Sequence, residues 1–158
     1  MQRIPMTPRG YRLLEEDLRH HLETLRPEVI RAIEEARAHG DISENSEFDA
    51  AKERQGQIEG RIRELEHKLA MAEVIHPSRL PPSDRVVFGA TVTLRDLESD
   101  EELVYQIVGT DETDVKKGMV SITSPIGRAL VGHVIGEEVK VNTPRGTREL
   151  EILKVEYI

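Results

Sequence analysis

An α+β protein, built as a helical hairpin followed by a small and mainly antiparallel β domain, is predicted by three features of this 158-residue chain. Apolar residues recur in steps of three and four through its first half. A proline-rich stretch, His76-Pro77-Ser78-Arg79-Leu80-Pro81-Pro82-Ser83, then breaks that period, and beyond it apolar residues gather in short runs between turn residues. The expected division is 1–75 for the hairpin, 76–84 for a semi-rigid linker and 85–158 for the β domain.

The first arm opens on Thr7-Pro8, an N-cap followed by proline at the first helical position. Its stripe runs through Tyr11, Leu14, Leu18, Leu22, Leu25, Val29, Ile33 and Ala36. Pro27 removes a backbone donor and biases Arg26 toward extended geometry, which predicts a kink or a short break there. The second arm is more regular: Phe48, Ala51, Gln55, Ile58, Ile62, Leu65, Leu69 and Ala72 form a heptad seam interrupted only by Gln55. Joined at Gly40, the two stripes predict an antiparallel coiled coil with arms of ~45 Å at 1.5 Å per residue. Gly56 and Gly60 weaken the second arm without an evident reason.

In the second half, strands are expected around Val86–Phe88, Ala90–Leu94, Leu103–Val108, Met119–Ile122, Val139–Val141 and Leu150–Tyr157. One short helix is expected over Ser124–Gly132, with a serine cap, a proline in the first position and a closing glycine.

Composition narrows the functions available. A net charge of −8, with 12 basic and 16 acidic residues up to residue 75 and 10 and 14 after it, opposes non-specific binding to duplex DNA. Two phenylalanines, three tyrosines and no tryptophan are poor material for an aromatic ligand pocket. The absence of cysteine rules out thiol chemistry, disulfides and thiolate zinc sites, and the six histidines show no zinc-ligand spacing. With no signal-peptide pattern and no apolar run approaching the ~18 residues of a membrane span, the expectation is a cytoplasmic protein without a membrane partner.

The most informative motif lies where the hairpin reverses: Gly40-Asp41-Ile42-Ser43-Glu44-Asn45-Ser46-Glu47-Phe48-Asp49. Four carboxylates fall in the nine residues 41–49, and no lysine or arginine lies between Arg37 and Lys52. One reading makes Asp41 the cap of the second arm, with Glu44 completing a capping box. A second lets Asp41 and Glu44 offer oxygen ligands to one divalent cation held mostly by another molecule. The two are compatible. An EF-hand is excluded by Ser46 at its sixth position and Lys52 at its twelfth. Arg37 and Lys52 flank the tip and are candidates for contact with phosphate.

Taken with Ile4-Pro5-Met6-Thr7-Pro8-Arg9-Gly10, Phe88-Gly89-Ala90-Thr91-Val92, Ser124-Pro125-Ile126-Gly127-Arg128-Ala129-Leu130 and Lys154-Val155-Glu156-Tyr157, these blocks resemble, over the whole length, bacterial transcript cleavage factors of the GreA/GreB family, the GreA branch in particular. The resemblance implies a coiled coil that enters the secondary channel of RNA polymerase and an FKBP-like C-terminal domain that docks at the channel rim. It also implies that the chain has no cofactor of its own, is monomeric and is not itself an enzyme. Asp41 and Glu44 match the family's tip acids, which help hold Mg2+ in the polymerase active site during cleavage of a backtracked RNA 3′ end. Arg37, Lys52, Asn45 and Ser43 are the implied RNA-contacting residues; Ser124, Pro125, Ile126 and Arg128 are the implied docking residues. Ser43, Ser46 and Phe48 depart from the family pattern, in which lysine, alanine and tyrosine are common. The main alternative is a channel-binding inhibitor without cleavage activity; a proline isomerase and a plain coiled-coil adaptor are weaker rivals.

Overall fold

The computed structural model describes residues 2–40 and 45–158, and these divide into two units: Met1–Tyr11 with Ala72–Ile158, and Arg12–Met71. Helices α1 (Pro8–His20), α2 (Arg26–Ala38) and α3 (Ser46–Ala70) supply the helical hairpin, and the other unit carries the sheet. The architecture is the expected one. Within it, Met1–Tyr11 groups with the sheet unit.

The reason is a clamp that no local pattern reveals. Strand β1 (Ile4–Met6) pairs in parallel with β2 (Ala72–Val74), and the Ile75 amide donates to the Met6 carbonyl at 2.8 Å. Beside it Glu112, only 2% exposed, accepts from the Thr7 amide at 2.8 Å, the Thr7 hydroxyl and the Gly109 amide at 3.2 Å. Arg9 donates to the Glu112 carbonyl at 3.1 Å. Thr7 caps α1 as expected, accepting from the Gly10 amide at 3.3 Å, but the first turn holds no acid of its own. The Glu112 carboxylate, from 105 residues away, takes that place at the positive end of the helix dipole. It lies so close that a Cβ on Gly10 would come within 2.6 Å of its Oε2, so any larger residue there would have to displace the carboxylate.

In the sheet unit the strand order is β5-β4-β3-β7-β6, formed by β3 (Thr91–Asp96), β4 (Glu102–Val108), β5 (Met119–Ser121), β6 (Glu138–Thr143) and β7 (Gly146–Glu156). All pairs are antiparallel except β4 with β5, so the sheet is mixed. Helix α4 (Pro125–Leu130) packs on β5 and β6, and its Leu130 joins Val92, Leu94, Ile107, Leu150 and Ile152 in a core that excludes water completely at those positions. Val86–Phe88 forms no strand, contrary to expectation. The segment is held instead by Val86, which exchanges 2.8 Å backbone bonds with Gly132 and His133, and by the Tyr157 hydroxyl, which donates to the Arg85 carbonyl. The expected linker is also partly built in: Pro77–Arg79 forms a 3-10 turn with Pro77 buried.

The hairpin unit buries Val29, Ile58 and Ile62 against one another, with Leu18 and Leu25 packed alongside. Pro27 does not extend Arg26, which keeps helical angles (φ −60, ψ −50). The chain accommodates the proline by widening into a π-turn over His21–Leu25, where the Arg26 amide reaches back five residues to the His21 carbonyl. An α-helical register would drive the proline ring against the carbonyl four residues before it, and the wider turn relieves that clash. The inserted residue also rotates the stripe: Leu22, expected in the seam, is 36% exposed.

Candidate functional site

Asp41, Ser43 and Glu44 lie outside the described residues, so the structure speaks to the tip through what holds its two ends. On the first arm, α2 stops at His39 and Gly40; the Gly40 φ of +113° carries the chain out of the helix, and its amide bonds the Arg37 carbonyl at 3.4 Å. On the second arm the cap of α3 is Asn45. Its Oδ1 accepts from the Glu47 and Phe48 amides at 3.0 and 3.1 Å. Its Nδ2 donates to the Ala36 carbonyl at 2.7 Å, tying the start of α3 to the last turn of α2. Because the oxygen faces two donors and the nitrogen an acceptor, only one orientation of this amide satisfies the site. Asn45 thus ties together the two helix ends that flank residues 41–44 in sequence. The sequence signal for it was present, an asparagine directly before the helical period, but stood beside the competing cap at Asp41.

The flanking cations have different surroundings. The Arg37 guanidinium lies 5.8 Å from the centre of the Phe48 ring, close enough for a cation–π contact that joins the arms just below the tip. Phe48 remains half-buried at the seam. Lys52 is exposed and donates to Gln55 at 3.2 Å on its own helix. Glu47 and Asp49 occupy the first turn of α3, where negative charge is favoured by the helix dipole.

The four residues that the resemblance implies for docking are gathered at α4. The Ser124 hydroxyl accepts from the Gly127 amide at 3.1 Å and donates to the Ser121 carbonyl at 2.6 Å, so its role in the structure is the cap. Pro125 and Arg128 are exposed and Ile126 is half-buried. Pro125 and Ile126 form one wall of a groove of about 830 Å³ that also includes Tyr105, Val115, Val120 and the β6–β7 turn at Pro144 and Arg145. Val115, at 75% exposure, is the residue that sequence reading passed over: it is a single apolar position inside Asp114-Val115-Lys116-Lys117, with no period to flag it.

Both halves of the chain match family models: residues 4–74 match "Transcription elongation factor, N-terminal" and residues 81–157 match "Transcription elongation factor, GreA/GreB, C-term". The chain belongs to the GreA/GreB family. Among its relatives, the transcription elongation factor GreA of Neisseria meningitidis serogroup B is 54% identical over 158 residues, the full length of both chains. GreA of Trichlorobacter lovleyi is 55% identical over 154 residues, covering 98% of this chain and 97% of its own. The solved structure of GreA factor homolog 1 from Thermus thermophilus is 29% identical, with a TM-score of 0.44 and coverage of 98% and 99%. Factors of the GreA/GreB family act on RNA polymerase.

Proposed function

We propose that this chain inserts its hairpin into the secondary channel of RNA polymerase and stimulates the polymerase's own cleavage of backtracked RNA, so that arrested complexes resume elongation. Family membership across both halves of the chain supports this reading, and the observation that carries it is the Asn45 amide, which ties the start of α3 to the last turn of α2. Asp41 and Glu44 lie in sequence between the two helix ends that this bond ties together. Two carboxylates suit a hard divalent cation, and Mg2+ of the polymerase active site supplies the activation of water and the offset of phosphoryl charge. Two carboxylates are too few to cage an ion, which is why the polymerase must hold the rest of its shell.

The remaining tip residues have supporting parts. Arg37 and Lys52 face the RNA phosphates, Arg37 from its place on the Phe48 ring. Ser43 and Asn45 add polar contacts, although the cap already employs most of the Asn45 amide. Docking at the channel rim falls to Pro125, Ile126 and Arg128, with Ser124 holding the helix that carries them.

The test uses a stalled, backtracked complex with 5′-labelled RNA. Asp41→Ala or Glu44→Ala should lower Mg2+-dependent shortening by about 10- to 100-fold, the scale on which metal sites respond to altered ligation, while polymerase binding is retained. Substituting Pro125 or Ile126 should weaken binding instead. If the parent leaves the RNA intact while still slowing elongation, the chain is a channel-binding inhibitor and the cleavage reading is wrong.

A further inference from the structure

The two arms of the hairpin are weakened at the same height. On the first arm the helix loosens into the π-turn at His21–Leu25 and passes Pro27, and none of the five residues in that turn is buried. On the second arm, α3 packs against this turn and carries Gly56 and Gly60. Neither glycine is there for want of space. A Cβ on Gly56 would meet nothing within 4 Å, and one on Gly60 would touch only the Arg63 guanidinium at 3.8 Å. Neither has a positive φ. Alanine would fit at both and would favour the helix, so the glycines lower helix stability with no packing return.

Cross-arm ion pairs bracket this level. Arg26 makes a two-pronged contact with Glu59 at 2.7 and 2.8 Å, and Arg61 bonds Asp17 at 2.9 Å. Gly60 therefore stands between Glu59 and Arg61, while Asp17 and Arg26 stand on either side of the π-turn. A wide turn, a proline, two glycines without a steric reason and a pair of partly exposed ionic ties coincide at one point along the hairpin.

We propose that this point is a compliant joint: a place midway along the hairpin where both helices open together, held shut by Arg26–Glu59 and Asp17–Arg61. The hairpin bends there while its seam on either side stays closed. The inference concerns the free chain and stands apart from what the tip does inside a polymerase.

Amide hydrogen exchange on the full chain tests it, since a uniform two-helix hairpin is most protected in its middle and frays toward its ends. The joint predicts the reverse: amides of Leu22–Arg26 and Gly56–Arg61 exchange roughly tenfold faster than those around Val29–Ile33 and Ile62–Leu65. The double substitution Gly56→Ala with Gly60→Ala should slow exchange at this level by about fivefold per glycine, the ratio set by the helix preference of alanine over glycine. Glu59→Gln should speed exchange of the π-turn about two- to threefold, the scale of a partly exposed ion pair. Added salt should do the same in the parent and much less in that variant. Protection that peaks smoothly at mid-arm, or rates at Leu22–Arg26 unmoved by the double alanine substitution, would overturn the joint.

Discussion

The sheet unit and the hairpin unit solve the same problem of cohesion in opposite ways. In the sheet unit a contiguous set of aliphatic side chains, including Leu94, Ile107, Leu130, Leu150 and Ile152, is sealed from water between the sheet and α4. The hairpin has a seam one residue wide, and most of its other cohesion is ionic and half in water, through Arg26–Glu59, Asp17–Arg61 and Arg54–Glu28. A two-helix unit has no inside beyond its seam, so it trades depth of core for reach. The contrast teaches where each unit is vulnerable: the sheet to lost volume, the hairpin to lost register and charge.

The largest expected effect is therefore on the sheet. Leu150→Ala removes a side chain with no exposure from a core walled on both sides, where collapse is hard, and should cost about 3–4 kcal/mol in urea unfolding. Ile62→Ala, in the seam, should lie nearer 2 kcal/mol because two helices can close around the smaller residue. Equal costs would erase the distinction between a deep core and a seam.

A second prediction probes the clamp at the start of α1. Glu112→Gln preserves shape but replaces one acceptor oxygen with an amide donor, facing a Thr7 amide and hydroxyl and a Gly109 amide that all need acceptors. The loss should be about 2 kcal/mol, the cost of leaving a buried donor unsatisfied. It should be strongly non-additive with Thr7→Ala in a double-mutant cycle, because both substitutions break one network. Additive costs would mean that Glu112 acts by filling space rather than by accepting hydrogen bonds.

That clamp also marks the limit of what could be read in advance. The hairpin, the turn at Gly40, the short helix after Ser124 and most of the strands were legible because each is written in local period and punctuation. Glu112 was not, since an acid in Thr110-Asp111-Glu112-Thr113 looks like any surface turn until Thr7 is brought to it from 105 residues away. The three-residue strands β1 and β2 were missed for the same reason: their pairing partners lie 68 residues apart, and neither is long enough to show alternation. Pro27 announced an irregularity, but the sequence could not say that a π-turn, rather than an extended Arg26, would absorb it. At the tip the acids stood out by charge alone, whereas the part of Asn45, which ties the two flanking helix ends, had to be seen in its bond to Ala36.

The smallest expected effect belongs to the ties that hold the hairpin. The guanidinium of Arg26, bonded to Glu59, holds that carboxyl below the ordinary glutamate range, and Glu59 in turn raises Arg26. A carboxyl lowered on folding binds its proton more readily in the unfolded chain. Its contribution is thus complete above the ordinary glutamate value and disappears as pH falls through the lowered one. Helicity of the hairpin should accordingly decline slightly over the acidic limb of a circular-dichroism titration, and Glu59→Gln should flatten that decline without altering the neutral-pH signal by more than a small fraction. Both partners are about a third exposed, so salt should weaken the same tie in parallel. The buried Glu112 clamp, out of reach of bulk ions, should not respond to salt. An acid limb in the Glu59→Gln variant as steep as the parent's would move the pH dependence to Glu64, whose carboxyl Lys68 and Arg61 hold below the ordinary glutamate range.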